Sequence, residues 1–260
     1  MSEPRSVMRV ENLSKHYGDV TVLKSLNFSV AAGQVVGYLG VNGAGKSTTI
    51  KILIGSIGDF HGEAQVCGLD LRKDSVAVKR RIGYVPEVAL LYDALSPMEY
   101  LLFHGRMHSM ADQKITQRAR ALLSVFGLSS RENQPMQSFS KGMKQKVLLA
   151  AGTLHDPDVL FLDEPMSGLD ANAVLLLKEI ILRLAKRGKT IFYSSHMLDV
   201  VERLCDRIII LDRGEIVADG SFEHLKSLKK EKSLETIFGE LTSHQSIQGL
   251  ADDYMGALAL

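Results

Sequence analysis

The stretch Gly40-Val41-Asn42-Gly43-Ala44-Gly45-Lys46-Ser47-Thr48 fits the pattern G-x-x-x-x-G-K-S/T of a phosphate-binding loop in full. The residues before it, Gln34-Val35-Val36-Gly37-Tyr38-Leu39, are apolar and β-branched enough for a buried strand, and Thr49-Ile50-Lys51-Ile52-Leu53 after it suit a helix. Strand, loop and helix in that order are the context the motif needs. The glycines let successive backbone N–H groups converge on phosphate oxygens, and the helix opening at Gly45 adds its positive dipole end. Lys46 then reaches the β- and γ-phosphates, and the hydroxyl of Ser47 stands where a Mg²⁺ bridging those phosphates would sit.

Around this loop the composition is ordinary for a globular chain. There are 260 residues, 45% hydrophobic and 23% charged, with 31 basic against 30 acidic side chains. A formal net charge of +1 supplies no global field to recommend a nucleic acid as partner. Cys67 and Cys205 are far apart and in no metal spacing, and read as reduced thiols of a cytosolic protein. No apolar run approaches the roughly 20 residues of a spanning helix, and residues 1–5 lead into no signal-peptide core. The expectation is a chain soluble by itself, whose membrane role, if it has one, comes through a partner.

Short strands are expected at residues 7–10, 20–23 and 26–30, with the aromatic of Lys15-His16-Tyr17-Gly18 on a loop between the first two, and another strand at residues 62–68. These form a small antiparallel sheet beside the phosphate-loop core. From about Pro97 to Ala151 apolar residues recur at steps of three and four, which predicts an all-helical insert. Val159-Leu160-Phe161-Leu162, Thr190-Ile191-Phe192-Tyr193-Ser194 and Arg207-Ile208-Ile209-Ile210-Leu211 are continuous apolar runs of the kind found in parallel strands covered on both faces. Helices at residues 174–186 and 198–204 alternate with them, which argues for a mainly parallel α/β sheet. Beyond Gly220 the chain turns helical again, with Lys226, Lys229, Lys230 and Lys232 crowded on a solvated face; residues 243–260 carry too little pattern to place. His104 and His108 lie one helical turn apart, the spacing of a metal pair, but with no third ligand nearby they read as a polar helix face.

The apolar run 159–162 ends in Asp163-Glu164. Successive strand residues point to opposite sides, so the two carboxylates can take different tasks: Asp163 to orient Mg²⁺ through a water, Glu164 to polarise an attacking water.

The phosphate loop, Phe139-Ser140-Lys141-Gly142-Met143-Lys144-Gln145, Asp163-Glu164, Met166-Ser167-Gly168-Leu169-Asp170 and Ser194-Ser195-His196 follow one another in the order seen in ATP-binding cassette (ABC) proteins, and the resemblance runs from about Val7 to Gly220. It implies a P-loop NTPase core of RecA-like α/β type with a mainly parallel sheet, a small antiparallel β subdomain and a helical subdomain at about 90–152. The cassette would occupy 1–220, and 221–260 would form a C-terminal helical extension and tail. ATP and Mg²⁺ are the implied cofactors. By this resemblance Ser140 and Gly142 belong to a signature motif that contacts the γ-phosphate held by an opposite subunit. His196 matches the switch histidine, Asp170 the loop coupling the two sites, and Tyr17 the aromatic that stacks on adenine. The signature departs from the consensus Leu-Ser-Gly-Gly-Gln at Phe139, Lys141 and Met143, and Glu87 of Tyr84-Val85-Pro86-Glu87 replaces the usual glutamine while keeping an oxygen for Mg²⁺ or the water. These departures resemble the branch serving ABC-2-type exporters. The implied partners are a polytopic membrane permease and a second copy or homologous cassette, with no nucleic acid, at the cytoplasmic side of the cell membrane. A soluble cassette ATPase acting on ribosomes or DNA, or a phosphate-loop kinase, would be the alternatives. The first usually carries two cassettes or a long coiled coil, and the second leaves Ser140, Gly142 and His196 unexplained.

Overall fold

In the computed structural model, which describes residues 6–229, 233–242, 254–255 and 257–258, strands β1 (Ser6–Tyr17) and β2 (Val20–Ala31) form a long antiparallel hairpin. This corrects the reading of three short strands and a loop tyrosine. Ser25 at φ +54° and Asn12 at φ +50° interrupt the alternation, and the register shifts beside them. Such bulges break the two-residue hydrophobic period without ending the strand.

The core strand β3 (Val35–Gly40) leads through the loop into α1 (Lys46–Leu53), as the sequence predicts. Next come β4 (His61–Val66) and β5 (Leu69–Asp70), which complete a four-stranded sheet in the order β2-β1-β4-β5. Helix α2 (Ser75–Arg81) and the four-residue strand β6 (Ile82–Val85) follow. Neither is apparent from the sequence, because both are too short to show a period.

Between β6 and the next strand the chain is helical, with α3 (Pro97–Met107), α4 (Asp112–Val125) and α5 (Lys141–Leu154). Helix α3 starts where local chemistry tells it to. Ser96 accepts from the Glu99 amide, the Glu99 carboxylate accepts from the Ser96 amide, and Pro97 occupies the first turn, satisfying donors that would otherwise be orphaned.

The chain then alternates: β7 (Val159–Asp163), α6 (Ala171–Lys186), β8 (Thr190–Ser194), α7 (Leu198–Leu204), β9 (Arg207–Asp212) and β10 (Glu215–Gly220). Their sheet has the order β10-β9-β3-β8-β7-β6, parallel throughout except for β10. Alternation along the strands splits the core into two layers. Val35, Leu39, Leu162, Ile191, Tyr193 and Ile210 face the helices of the insert and of the 171–204 segment, while Val36, Tyr38, Phe161, Phe192, Ile209 and Leu211 face α1, α2 and the antiparallel sheet. A sheet covered on both faces needs apolar residues at every position, hence the unbroken runs.

Helices α8 (Phe222–Lys229) and α9 (Leu234–Thr242) end the continuous description. Leu225, Leu234 and Ile237 are buried in the same cluster as Val200, Leu204 and Ile208, so this extension shares the core. Lys230, Lys232, the Lys229 side chain and most of the tail expected to lack pattern lie outside the described residues; Lys226 stands over the Phe222 ring. One further correction concerns His104 and His108: a third imidazole, His155, stacks on His108, brought there by the end of α5, 47 residues on in the chain.

Candidate functional site

Parallel order places the carboxyl ends of β3, β8 and β7 side by side, with Tyr38 opposite Ser194 and Ser194 opposite Asp163. Open α/β sheets bind ligands at that edge. A cleft of about 820 Å³ lies there, lined by the phosphate loop, Glu87, Asp163, Glu164 and His196 among others.

Of the nine loop residues, Gly40, Val41, Asn42, Gly43, Gly45, Lys46, Ser47 and Thr48 line the cleft. Ala44 does not; it is buried beneath the loop, its carbonyl accepting from the Gly214 amide. Gly45 holds φ +111° at the N-cap of α1, and a Cβ there would meet Leu23 Cδ2 at 2.6 Å, so only glycine fits the turn. No side chain caps α1 and its first turn holds no acid, which leaves the positive end of the helix to an anion. The helix is tied down from below: Tyr38 Oη donates to Thr49 Oγ1 (3.1 Å), which donates to the Gly45 carbonyl (3.1 Å). Lys46 Nζ curls over the loop to the carbonyls of Gly40 and Val41, at 2.5 and 3.2 Å.

Three carboxylates surround this ammonium. Burial raises the Asp163 pKa above the ordinary carboxylate value, and the charges of Glu87 and Glu164 raise it further, with Lys46 opposing. Burial likewise lowers the Lys46 pKa against the pull of Glu164, Asp163 and Glu87, and pushes Tyr84 up to about 12. Three acids facing one cation is a strained balance that a divalent ion would relieve. The hard oxygen donors of Ser47, Asp163 and Glu87 are the ligand type such an ion takes.

Glu164 departs from the line of β7 at φ +48°. Its amide donates to the Ser194 carbonyl (2.9 Å), while its Oε2 lies 3.2 Å from the Ser195 hydroxyl, which donates to it, and 2.8 Å from His196 Nδ1. The carboxylate is mostly buried and the histidine exposed at the rim. A carboxylate oriented by a neighbouring imidazole and open to the cleft is the arrangement that a general base requires. Ser195 carries part of that geometry, and the sequence signals it only as a neighbour of His196. Leu198, two residues after His196, and Phe238 of α9 also line the cleft; Phe238 lies far along the chain from every motif of the site, and only the docking of α9 brings it there.

Ser140, Gly142 and Asp170 are not at this cleft. Ser140 caps α5, accepting from the Met143 amide at 3.3 Å, and Asp170 caps α6, accepting from the Ala173 amide at 2.9 Å. The two caps are packed together: a Cβ on Gly142 would meet the Gly168 carbonyl oxygen at 2.4 Å, Lys141 reaches Ser167 (2.7 Å), and Lys146 pairs with Asp170 (3.1 Å). Ser140 and Asp170 are exposed. Tyr17, at the end of β1, is half exposed and outside the cleft lining, with the Lys15 ammonium 4.8 Å from its ring centroid.

Comparison with known proteins agrees with this geometry. Residues 23–167 match the family described as ABC transporter. Linearmycin resistance ATP-binding protein LnrL of Bacillus subtilis is 37% identical over 215 residues, covering 83% of this chain and 69% of that protein. Nod factor export ATP-binding protein I of Ralstonia nicotianae is 36% identical over 214 residues, 82% of this chain and 67% of that protein. A solved structure described as the ATP binding subunit of an ABC transporter superposes with a TM-score of 0.86 at 33% identity, covering 90% of this chain and 99% of the other. The chain belongs to the ABC transporter family, as an ATP-binding subunit.

Proposed function

We propose that this ATPase works as a pair of chains that close on two ATP molecules and drive export through a separate membrane permease of ABC-2 type. The observation that carries the reading is the division of the motifs. The phosphate loop, Asp163, Glu164 and His196 share one cleft, while the exposed Ser140 and Asp170 and the half-buried Gly142 lie outside it. A second copy in two-fold relation supplies those residues to the first copy's nucleotide.

Within each site Lys46 and the loop amides hold the phosphates, Glu164 takes the proton of the attacking water, and His196 orients Glu164. Ser47, Asp163 and Glu87 would hold Mg²⁺, whose charge offsets that of the phosphates. Tyr17 stacks on adenine, and Asp170 links the two sites. The cassette is residues 1–220 and the extension 221–260. Among the described residues no helix is long and apolar enough to cross a membrane, and the reading assigns the transport path to the permease, with the chain at the cytoplasmic face. Val88, Leu90, Tyr92, Phe103 and Met107, exposed on α3 and the segment before it, offer the permease an apolar contact. Export is favoured by Glu87, by the signature variant and by the resistance and export names of the two relatives.

Mixing two inactive variants tests the shared site. Lys46→Ala removes the loop cation and Ser140→Arg blocks the signature. A mixed pair still contains one site with an intact Lys46 and an intact Ser140 from opposite chains. ATP turnover, absent from either variant alone, returns at up to about half the wild-type rate per mixed pair, roughly a quarter averaged over a random mixture. A mixture as inactive as its components would contradict a two-chain site.

A further inference from the structure

Outside the nucleotide cleft, the end of α3 and the end of α5 bring three histidines together. His104 lies in the last turn of α3, His108 is its C-cap, and His155 is the C-cap of α5. One ring nitrogen of each lies within 4.8 Å of the others. The His108 and His155 rings stack with centroids 3.6 Å apart and planes 14° apart, and the His104 centroid is 4.9 Å from His108 and 6.0 Å from His155. None of the three lines the cleft.

The hydrogen bonding settles which atoms are available. His155 Nε2 lies 2.9 Å from the Ile82 carbonyl, which can only accept, so Nε2 carries the hydrogen and Nδ1 keeps its lone pair. That Nδ1, His104 Nε2 and His108 Nδ1 are all buried without a hydrogen-bond partner among the described residues. Leaving a buried polar atom unsatisfied costs about 1–3 kcal/mol, and three such atoms on adjoining rings need an explanation that a helix surface does not provide. Burial also keeps the imidazoles neutral, with His104 and His155 each down at about 4 and His108 lowered too. Lys189, whose charge also lowers the His155 pKa, is paired with Asp156 at 3.2 Å. A carbonyl holding the far nitrogen of an imidazole is the outer support that metal-ligating histidines characteristically have.

We propose that His104, His108 and His155 bind one divalent late first-row transition ion, of the zinc, cobalt, nickel or copper class that imidazole suits, with a fourth position for water. Near-parallel rings cannot share an ion in both their planes, so one ring turns on binding. The nitrogens also draw in toward the roughly 3.3 Å separation of tetrahedral zinc ligands, whose Zn–N bonds are about 2.0–2.1 Å. The bound ion ties the helical insert at α3 to the end of α5 and, through Ile82, to the strand that leads to Glu87.

The test uses the full chain without a histidine tag, stripped of metal by a chelator. Zinc is titrated in competition with a chromophoric chelator, and cobalt is added separately to read its visible ligand-field bands. One equivalent per chain is expected to bind with four-coordinate cobalt bands. His104→Gln with His108→Gln should remove that equivalent, weakening zinc by more than the roughly 10–100-fold that loss of a supporting partner alone costs. His16→Gln should leave it in place. An equivalent held by Glu164 and His196 would survive the double substitution and is subtracted. Circular dichroism and ATP affinity verify folding, and His108→Gln alone, at the helix cap, serves if the double variant does not fold. Equal zinc affinity and unchanged cobalt bands in wild type and variants would overturn the site.

Discussion

Glu164 holds a left-handed backbone conformation, φ +48°, that a non-glycine residue adopts at a cost of about 1–3 kcal/mol. The contacts that impose it come from the end of β8 and the two residues after it: the Ser194 carbonyl, the Ser195 hydroxyl and His196. Strain at this residue aims the carboxylate into the cleft. Replacing it by glutamine keeps the size and the hydrogen-bond acceptor but removes the base. Glu164→Gln should bind ATP as wild type does and hydrolyse it about 10²–10⁴-fold more slowly, read by single-turnover hydrolysis of labelled ATP. An undiminished rate would take Glu164 out of the chemistry. The carboxylates themselves were legible, because an apolar strand ending in Asp-Glu downstream of a phosphate loop has few other meanings. The role of Ser195 was not, since it depends on β8 lying beside β7, a relation no local spacing contains.

At the scale of elements, long unbroken apolar runs announced β7, β8 and β9, and the loop pattern announced β3 and α1. What escaped was short or interrupted. The bulges at Asn12 and Ser25 hid two twelve-residue strands, and β6, with four residues and a glycine, shows no period. The antiparallel β10 follows β9 across the tight turn at Arg213-Gly214, both at positive φ, and its half-exposed pattern resembles a loop. His155 could not be paired with His104 and His108 until α5 was packed against α3. The extension beyond Gly220 was visible as a helical period, but not that Leu225, Leu234 and Ile237 complete the core beside α7. Ile237 is fully buried. Ile237→Ala should therefore destabilise the entire cassette by about 2–5 kcal/mol, and at about 2–4 °C per kcal/mol for a chain of this size the melting temperature should fall by roughly 4–20 °C. Scanning calorimetry should show the main transition itself displaced. A main transition left in place, with loss only of a small separate one, would mean that α9 folds apart from the cassette.

For the whole molecule, the arrangement of charge and motif divides labour between two surfaces. One edge of the sheet gathers the phosphate loop, three carboxylates and Lys46. The exposed caps of α5 and α6 present backbone N–H groups at helix starts, where an anion is stabilised. A γ-phosphate lying between these surfaces on two chains would join them, and its removal would release them. Binding can shift such an equilibrium only through contacts made in the closed state alone, which is why the terminal phosphate, and not the nucleotide as such, should control association. The most direct measurement is the solution mass of Glu164→Gln by light scattering with ATP and with ADP. A shift to twice the mass of one chain with ATP, and the mass of one chain with ADP, is the expected result. A mass of one chain under ATP, with the nucleotide bound at full occupancy, would contradict closure of two chains on a shared phosphate.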